Sequence, residues 1–250
     1  MVATLFVGFV GMMAAIVATL LARYLNARSA LGVMAGIAAW LTYVGLLAYF
    51  GVFKNTAMRP PGNVFLLIPV LLFLLLFFVI VVRSTAGTRI AMAFPLWVLM
   101  GTESFRIGVE LFLHRLWTDG LVPKMLTFDG ANVDIYVGAS AALIAWLSTK
   151  GGLGMRLALA WNVLGLLALA NVVTRAVLTS PGPLNLIHAE VPNRLFSTFP
   201  FLLIPGFFVP LAVVLHLLAI RALRSRLRTG LETSTVETQP SRAGSRSASV

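Results

Sequence analysis

The amino-acid sequence predicts an all-α integral membrane protein, a bundle of seven transmembrane helices followed by a disordered basic C-terminal tail. Hydrophobic residues make up 59% of the 250 residues and charged residues 11%, whereas soluble domains contain about 45–50% and about 25%. The mean hydropathy is +0.95. The apolar residues are gathered in stretches of the length that a helix needs to cross a hydrocarbon core about 30 Å thick. These observations exclude an ordinary soluble globular enzyme.

Seven stretches are suitable as membrane-spanning helices. They cover residues 2–22, 30–53, 64–82, 90–117, 132–148, 153–178 and 195–220. We therefore predict one polytopic transmembrane domain over residues 1–220. Residues 221–250 are rich in Ser, Thr and Arg and lack a hydrophobic period. Such a segment cannot bury enough apolar surface to offset the entropy lost on ordering, so we predict a disordered cytoplasmic tail.

The basic residues are distributed unevenly between the predicted loops. With the tail inside, the inner segments before the tail hold Arg23, Arg28, Arg83, Arg89, Lys150 and Arg156. The outer loops hold Lys54, Arg59, Lys124 and Arg194. Because cytoplasmic loops collect Lys and Arg, this asymmetry predicts an inner (plasma) membrane protein with its N-terminus outside and its C-terminus in the cytoplasm.

The end of the last predicted helix carries a basic cluster. Its members are Arg221, Arg224, Arg226 and Arg228. They either fix the orientation of the chain or also bind anionic lipid head groups. The net charge of +11 does not predict a nucleic-acid partner, because most basic residues stand beside apolar runs. The expected partner is the lipid bilayer.

Small residues mark two helix faces that neighbours can approach closely. Gly32 and Gly36 lie four residues apart in the second predicted helix, and Gly138 and Ala142 do so in the fifth. Such spacings serve packing within one chain or between two. A homo-oligomer formed through these faces is therefore one expectation.

The predicted fourth helix carries four ionisable residues in its second half. Glu103, Arg106, Glu110 and His114 are spaced by three, four and four residues, which places them on one stripe of a helix. A charged side chain within the hydrocarbon costs about 2.5–3.5 kcal/mol on insertion scales. The stripe should therefore face the bundle interior or a water-filled cavity, in the outer half of the membrane.

Further polar side chains are expected at the same depth, namely Asp134, Asn171 and Arg175. Buried Glu, Arg and His often mark ion paths and proton relays. The sequence therefore predicts binding or transport of a small polar solute or a proton. In this interpretation Glu103 and Glu110 are the proton or cation sites, and Arg106 and Arg175 are counter-charges or anion clamps.

Two alternatives remain open at this stage. In the first, the charges form a neutralised network that only fixes helix packing, and the protein is a membrane scaffold. In the second, it is an intramembrane enzyme in which Glu110, His114 and Asp134 act on a metal ion or as an acid–base set, with His188 as a further weak ligand candidate. No cofactor other than such a metal ion is predicted. The sequence contains no cysteine, which excludes disulfides and thiolate metal sites.

The last predicted helix holds a histidine and three prolines. The span 195–220 places His216 near the inner membrane surface, away from the charged stripe. Pro200, Pro205 and Pro210 recur every five residues, and each removes a backbone donor. The freed carbonyls either mark static kinks or form a gate or ligand site, as in transporters with discontinuous helices.

Overall fold

The computed structural model describes residues 1–54, 62, 64–182 and 184–237, and these residues form helices and loops without a strand. In chain order, the α-helices are α1 (Val2–Tyr24), α2 (Ala27–Tyr49), α3 (Val64–Arg83), α4 (Thr85–Ala93), α5 (Leu96–Thr102), α6 (Phe105–Thr118), α7 (Asp134–Leu147), α8 (Gly152–Leu178) and α9 (Val209–Glu237). The all-helical class predicted from the sequence is confirmed.

Five helical segments within the described ranges are long and apolar enough to cross a membrane. They are α1, α2, α3, α8 and the segment Ile204–Thr229, which includes most of α9. Helix α7 is apolar but has only 14 residues, or about 21 Å at 1.5 Å per residue, against a hydrocarbon thickness of about 30 Å. The membrane class is supported, whereas the predicted count of seven spanning helices is not confirmed.

The predicted single helix over residues 90–117 is wrong, because this stretch is divided among α4, α5 and α6. Phe94 has extended backbone angles (φ −96°, ψ 136°) and precedes Pro95, as expected since proline disfavours the helical conformation in the residue before it. Between α5 and α6, the N–H groups of Glu103 and Arg106 bond to carbonyls three residues back. This 3₁₀-type turn separates the two helices without a proline.

The predicted last helix over residues 195–220 also begins later than expected. Leu195–Ser197 forms a short 3₁₀ helix, Ile204–Phe208 forms a π-helical turn, and α9 begins at Val209. At its other end α9 continues to Glu237, and Ala222 and Leu223 are fully buried. The tail predicted to be disordered from residue 221 is therefore helical as far as Glu237, and residues 238–250 lie outside the described residues.

Two side chains of α2 replace donors that prolines remove. Pro69 lies within α3 and has no N–H for the carbonyl of Phe65, which instead accepts a hydrogen bond from the Tyr43 hydroxyl at 2.9 Å. Pro210 leaves the carbonyl of Gly206 free in the same way, and Trp40 Nε1 donates to it at 2.7 Å. Both carbonyls are therefore satisfied by a neighbouring helix, as a chain in lipid requires.

Helix α9 packs against α3, α4, α5 and α8, which gives it a central position among the described helices. Helix α7 packs against α5, α6 and α8. The approach of α7 to α6 depends on Gly138, where a Cβ atom would lie 2.9 Å from the Ile107 nitrogen. At Gly32 and Gly36 an added Cβ would meet nothing within 4 Å among the described residues, and a homo-oligomer stays a prediction.

Candidate functional site

Arg106 is the centre of a buried polar cluster. Its Nε donates to Glu103 Oε2 at 2.9 Å, and its Nη1 donates to Asp134 Oδ1 at 3.0 Å. The third nitrogen, Nη2, lies 3.0 Å from Nε2 of His216. Arg106 is 2% exposed, and its three partners are buried as well. The guanidinium thus joins the α5–α6 turn, the first residue of α7 and the third turn of α9.

His216 belongs to this cluster, so its predicted separation from the charged stripe is wrong. Because α9 begins at Val209 and not at residue 195, His216 lies only about two turns from the start of the helix, at the depth of Arg106. Arginine can only donate hydrogen bonds, so Nε2 of His216 accepts from Arg106. Nδ1 then carries the ring proton and donates to Asn162 Oδ1 at 2.8 Å.

Helix α8 contributes the side of the cluster that the sequence analysis missed. Asn162 accepts from His216, and its own Nδ2 donates to the carbonyl of Ala158 at 2.8 Å. Gly165 stands one turn further on, where an added Cβ would lie 2.4 Å from His216 Cε1. Asn162 could have been identified from the sequence, because it lies in the middle of an otherwise apolar span. A buried amide needs a hydrogen-bond partner.

A second missed residue, Asn132, connects the cluster to Glu110. Its Nδ2 donates to Glu110 Oε1 and, at 3.0 Å, to the carbonyl of Leu126. Its Oδ1 accepts from the backbone N–H of Asp134 at 3.0 Å. Asn side chains often make this contact, an Asx turn, with the backbone two residues further on. The Asn-Val-Asp sequence before α7 could therefore have indicated the role of Asn132. Asn132 thus positions both Asp134 and Glu110.

Glu110 keeps one oxygen without a partner. The residue is 1% exposed, and its Oε2 has no partner at normal hydrogen-bond geometry among the residues that the structure describes, with the backbone N–H of Phe128 as a nearby donor to the carboxyl group. A buried carboxylate oxygen left in this state is costly. Glu103 also has one carboxyl oxygen without a hydrogen bond among the described residues, Oε1, which lies 3.6 Å from His216 Nε2. Glu110 lines a cavity, and Glu103 is not among the residues that line this cavity.

The cavity beside Glu110 has a volume of about 190 Å³ and lies between α3, α6, α8 and the start of α9. Its polar lining includes Arg106, Glu110, Asn132 and Asp134. The rest of the wall is mainly apolar, with residues such as Leu113, Val172, Val173, Phe208 and Ala212. The loop after α8 contributes Ser180 and Gly182. The cavity therefore presents one polar end and one long apolar wall.

The remaining predicted site residues lie elsewhere. His114 is half-exposed, with Nδ1 2.7 Å from Asp129 Oδ2 and its ring stacked on Phe128. Asn171 donates to the carbonyl of Ala131, and Arg175 Nε donates to Asn171. His188 is exposed. Arg175 therefore makes its hydrogen bond with Asn171 and is not a hydrogen-bond partner of the cluster carboxylates.

The metal candidates Glu110, His114, Asp134 and His188 do not come together. His114 pairs with Asp129, and His188 points to the surface. Within the described ranges, no group of three or more His, Asp or Glu side chains could hold a metal ion. The interpretation as a metal-dependent enzyme thus finds no ligand set in this part of the chain.

The cluster contains more carboxyl groups than basic groups. Glu103, Asp134 and Glu110 provide three carboxyls, and Arg106 provides one guanidinium. His216 adds no positive charge in the tautomer that Arg106 requires. Two of these carboxyls, those of Glu110 and Asp134, line the cavity together with Arg106.

Comparison with known proteins gives one match. No curated protein and no solved structure matches the chain. Residues 60–224 match the family described as "Domain of unknown function (DUF8737)". The match includes helices α3 to α8, the first half of α9 and every residue of the buried cluster. Because it extends over more than half of the chain, this protein is a member of the DUF8737 family.

Proposed function

We propose that this membrane protein binds a small polar solute or a proton in the cavity beside Glu110. The observation that carries the proposal is the Oε2 atom of Glu110, which is buried, lines the cavity and lacks a hydrogen-bond partner among the described residues. An acceptor of this kind is stabilised by a donor that enters the cavity. Asn132 holds the other oxygen, so the carboxyl group is oriented in advance.

The dimensions of the cavity agree with a small organic solute. An apolar cavity of about 150 Å³ is large enough to bind benzene, and this one measures about 190 Å³. Ligand sites are typically apolar clefts with a few placed polar groups. The apolar wall and the single polar end of this cavity have that composition.

Two irregular helix segments support passage of the solute as well as its binding. The 3₁₀-type turn before α6 and the π-helical turn Ile204–Phe208 both adjoin the cavity. A 3₁₀ stretch within a helix often marks a hinge, and π turns are frequent at functional sites. We therefore extend the proposal to transport, with these two turns as the segments that move.

Solute binding is tested by thermal unfolding of the full chain in detergent with a panel of small amines, alcohols, carboxylates and zwitterionic amino acids. Val173→Phe should fill the cavity, whereas Val163→Phe places the same side chain on the exposed face of α8. A bound solute at 100 times its Kd adds about 2.7 kcal/mol, so at least one member should raise the Tm of the wild type and of Val163→Phe.

The Val173→Phe variant should show no such increase with the same solute. A panel that leaves the wild-type Tm unchanged would contradict the proposal. An increase that persists in Val173→Phe would contradict it equally, because the solute would then bind elsewhere.

We also propose that the protein lies in the inner (plasma) membrane with its N-terminus outside. The support is the excess of basic residues at one end of the helices, including Arg23 and Arg83 in the last turns of α1 and α3. The chain has no cysteine, so Leu186→Cys and Thr149→Cys, in the exposed loops on either side of α8, report on the two membrane faces. A membrane-impermeant maleimide should label the first in intact cells and the second only after lysis. The reverse pattern would overturn the orientation.

A further inference from the structure

We infer that the solute of this cavity is a primary ammonium ion with a short apolar body, whose N–H group bonds to Glu110 Oε2. The inference rests on the proposed function and names the chemical class of its solute. It depends on three separate properties of the site: the sign of its charge, the donor that the free oxygen requires and the nature of the walls.

The charges around the cavity favour a cation. Two carboxyl groups, those of Glu110 and Asp134, and one guanidinium line its polar end. The three nitrogens of that guanidinium already contact Glu103, Asp134 and His216, so an anionic solute would meet carboxyl oxygens and an arginine whose hydrogen bonds are largely committed. A cation would stabilise the ionised form of the carboxyls, and this effect is largest in a buried site of low dielectric.

The free oxygen requires a donor and not only a positive charge. Oε1 of Glu110 is held by Asn132, and Oε2 lacks a partner among the described residues. A primary ammonium carries three N–H donors, whereas a quaternary ammonium carries none. Hydrogen bonds to a charged group contribute roughly twice as much as those between neutral groups. The inference therefore specifies a protonated amine.

The walls require an apolar body. Val109, Leu113, Val172, Phe208 and Ala212 line the cavity and offer no side-chain hydrogen bond. A polyol or a hydrated metal ion would lose water contacts that this wall cannot replace. The volume of about 190 Å³ limits the body to one ring or a short chain, since about 150 Å³ accommodates benzene.

Calorimetric titration of the full chain in detergent with four ligands tests the inference, namely benzylammonium, benzyl alcohol, benzoate and benzyltrimethylammonium. Benzylammonium should bind at least about tenfold more tightly than benzyl alcohol, as expected for one charged hydrogen bond in place of a neutral one. Benzoate should show no measurable binding. Glu110→Gln should abolish the preference for benzylammonium over benzyl alcohol, whereas Glu190→Gln, an exposed change in the loop after α8, should retain it.

The possible results separate the inference from the proposed function. Tighter or equal binding of benzyl alcohol or benzoate overturns the ammonium class while solute binding in the cavity stands. Equal binding of benzyltrimethylammonium overturns the N–H contact. If no solute binds to the wild type and Val173→Phe has the same Tm with and without the solutes, both the ammonium inference and the proposed solute binding are overturned. The comparison among the ligands uses the wild-type chain, so the test holds even if Glu110→Gln fails to fold.

Discussion

Replacing Arg106 with methionine should lower the free energy of unfolding by about 3–5 kcal/mol, the usual cost of removing one partner from a buried ion pair. The reason is that Glu103 and Asp134 would lose their hydrogen bonds from the guanidinium while staying buried, and His216 Nε2 would lose its donor. Chemical unfolding of the purified protein in detergent micelles measures the change.

Arg175→Met is the matched control for Arg106→Met. Arg175 is only partly buried and makes its hydrogen bond with Asn171, so its loss should cost no more than about 1 kcal/mol. A further variant tests the cause: Arg106→Met combined with Glu103→Gln and Asp134→Asn should recover part of the lost stability, because the uncompensated charges are gone. Equal effects of Arg106→Met and Arg175→Met would mean that the cluster does not hold the bundle together.

Gly165→Ala should destabilise the protein by about 1–3 kcal/mol, the usual cost of inserting a methyl group into a packed core. The new Cβ would lie 2.4 Å from His216 Cε1 and 2.5 Å from its Nε2. The ring cannot turn aside easily, because Asn162 and Arg106 hold its two nitrogens. The clash therefore acts on the whole cluster. Thermal unfolding in detergent measures the loss.

Gly11→Ala in α1 controls for the intrinsic effect of the substitution. An added Cβ at Gly11 meets nothing within 4 Å among the described residues, and alanine favours a helix over glycine by about 1 kcal/mol. This variant should be as stable as the wild type or more stable. If Gly165→Ala has the same Tm as Gly11→Ala, the ring of His216 is not held in place by Asn162 and Arg106.

The part of the site that follows from local spacing was accessible from the sequence. Glu103 and Arg106 are three residues apart, a spacing at which a helical or 3₁₀ turn brings side chains together. The high cost of a charge in hydrocarbon also predicts that Glu110 faces the protein interior, and Glu110 is 1% exposed. The role of these residues as a solute site stays a prediction.

The parts that were missed depend on where helices begin and end. Pro69 lies inside α3, whereas Pro95 stands at a break between two helices. The local sequence does not distinguish these cases, because the donor that rescues the helix at Pro69 comes from Tyr43 in α2. The late start of α9, which moves His216 into the cluster, likewise depends on the chain before it and not on hydropathy. Asn132 and Asn162 act through partners on other segments.

Trp40 and Tyr43 donate hydrogen bonds to the two carbonyls that lose their helical donors at Pro210 and Pro69. These bonds affect how the family domain is stabilised. The family match begins at residue 60, so α2 is outside it, yet α2 supplies the donors for Phe65 and Gly206. Residues 60–224 on their own would lack the donors for these two main-chain acceptors, at a cost of several kcal/mol for each acceptor that lies within the hydrocarbon. Helix α2 thus supports the domain from outside it, and a chain that carries the domain with these prolines needs equivalent donors from another segment.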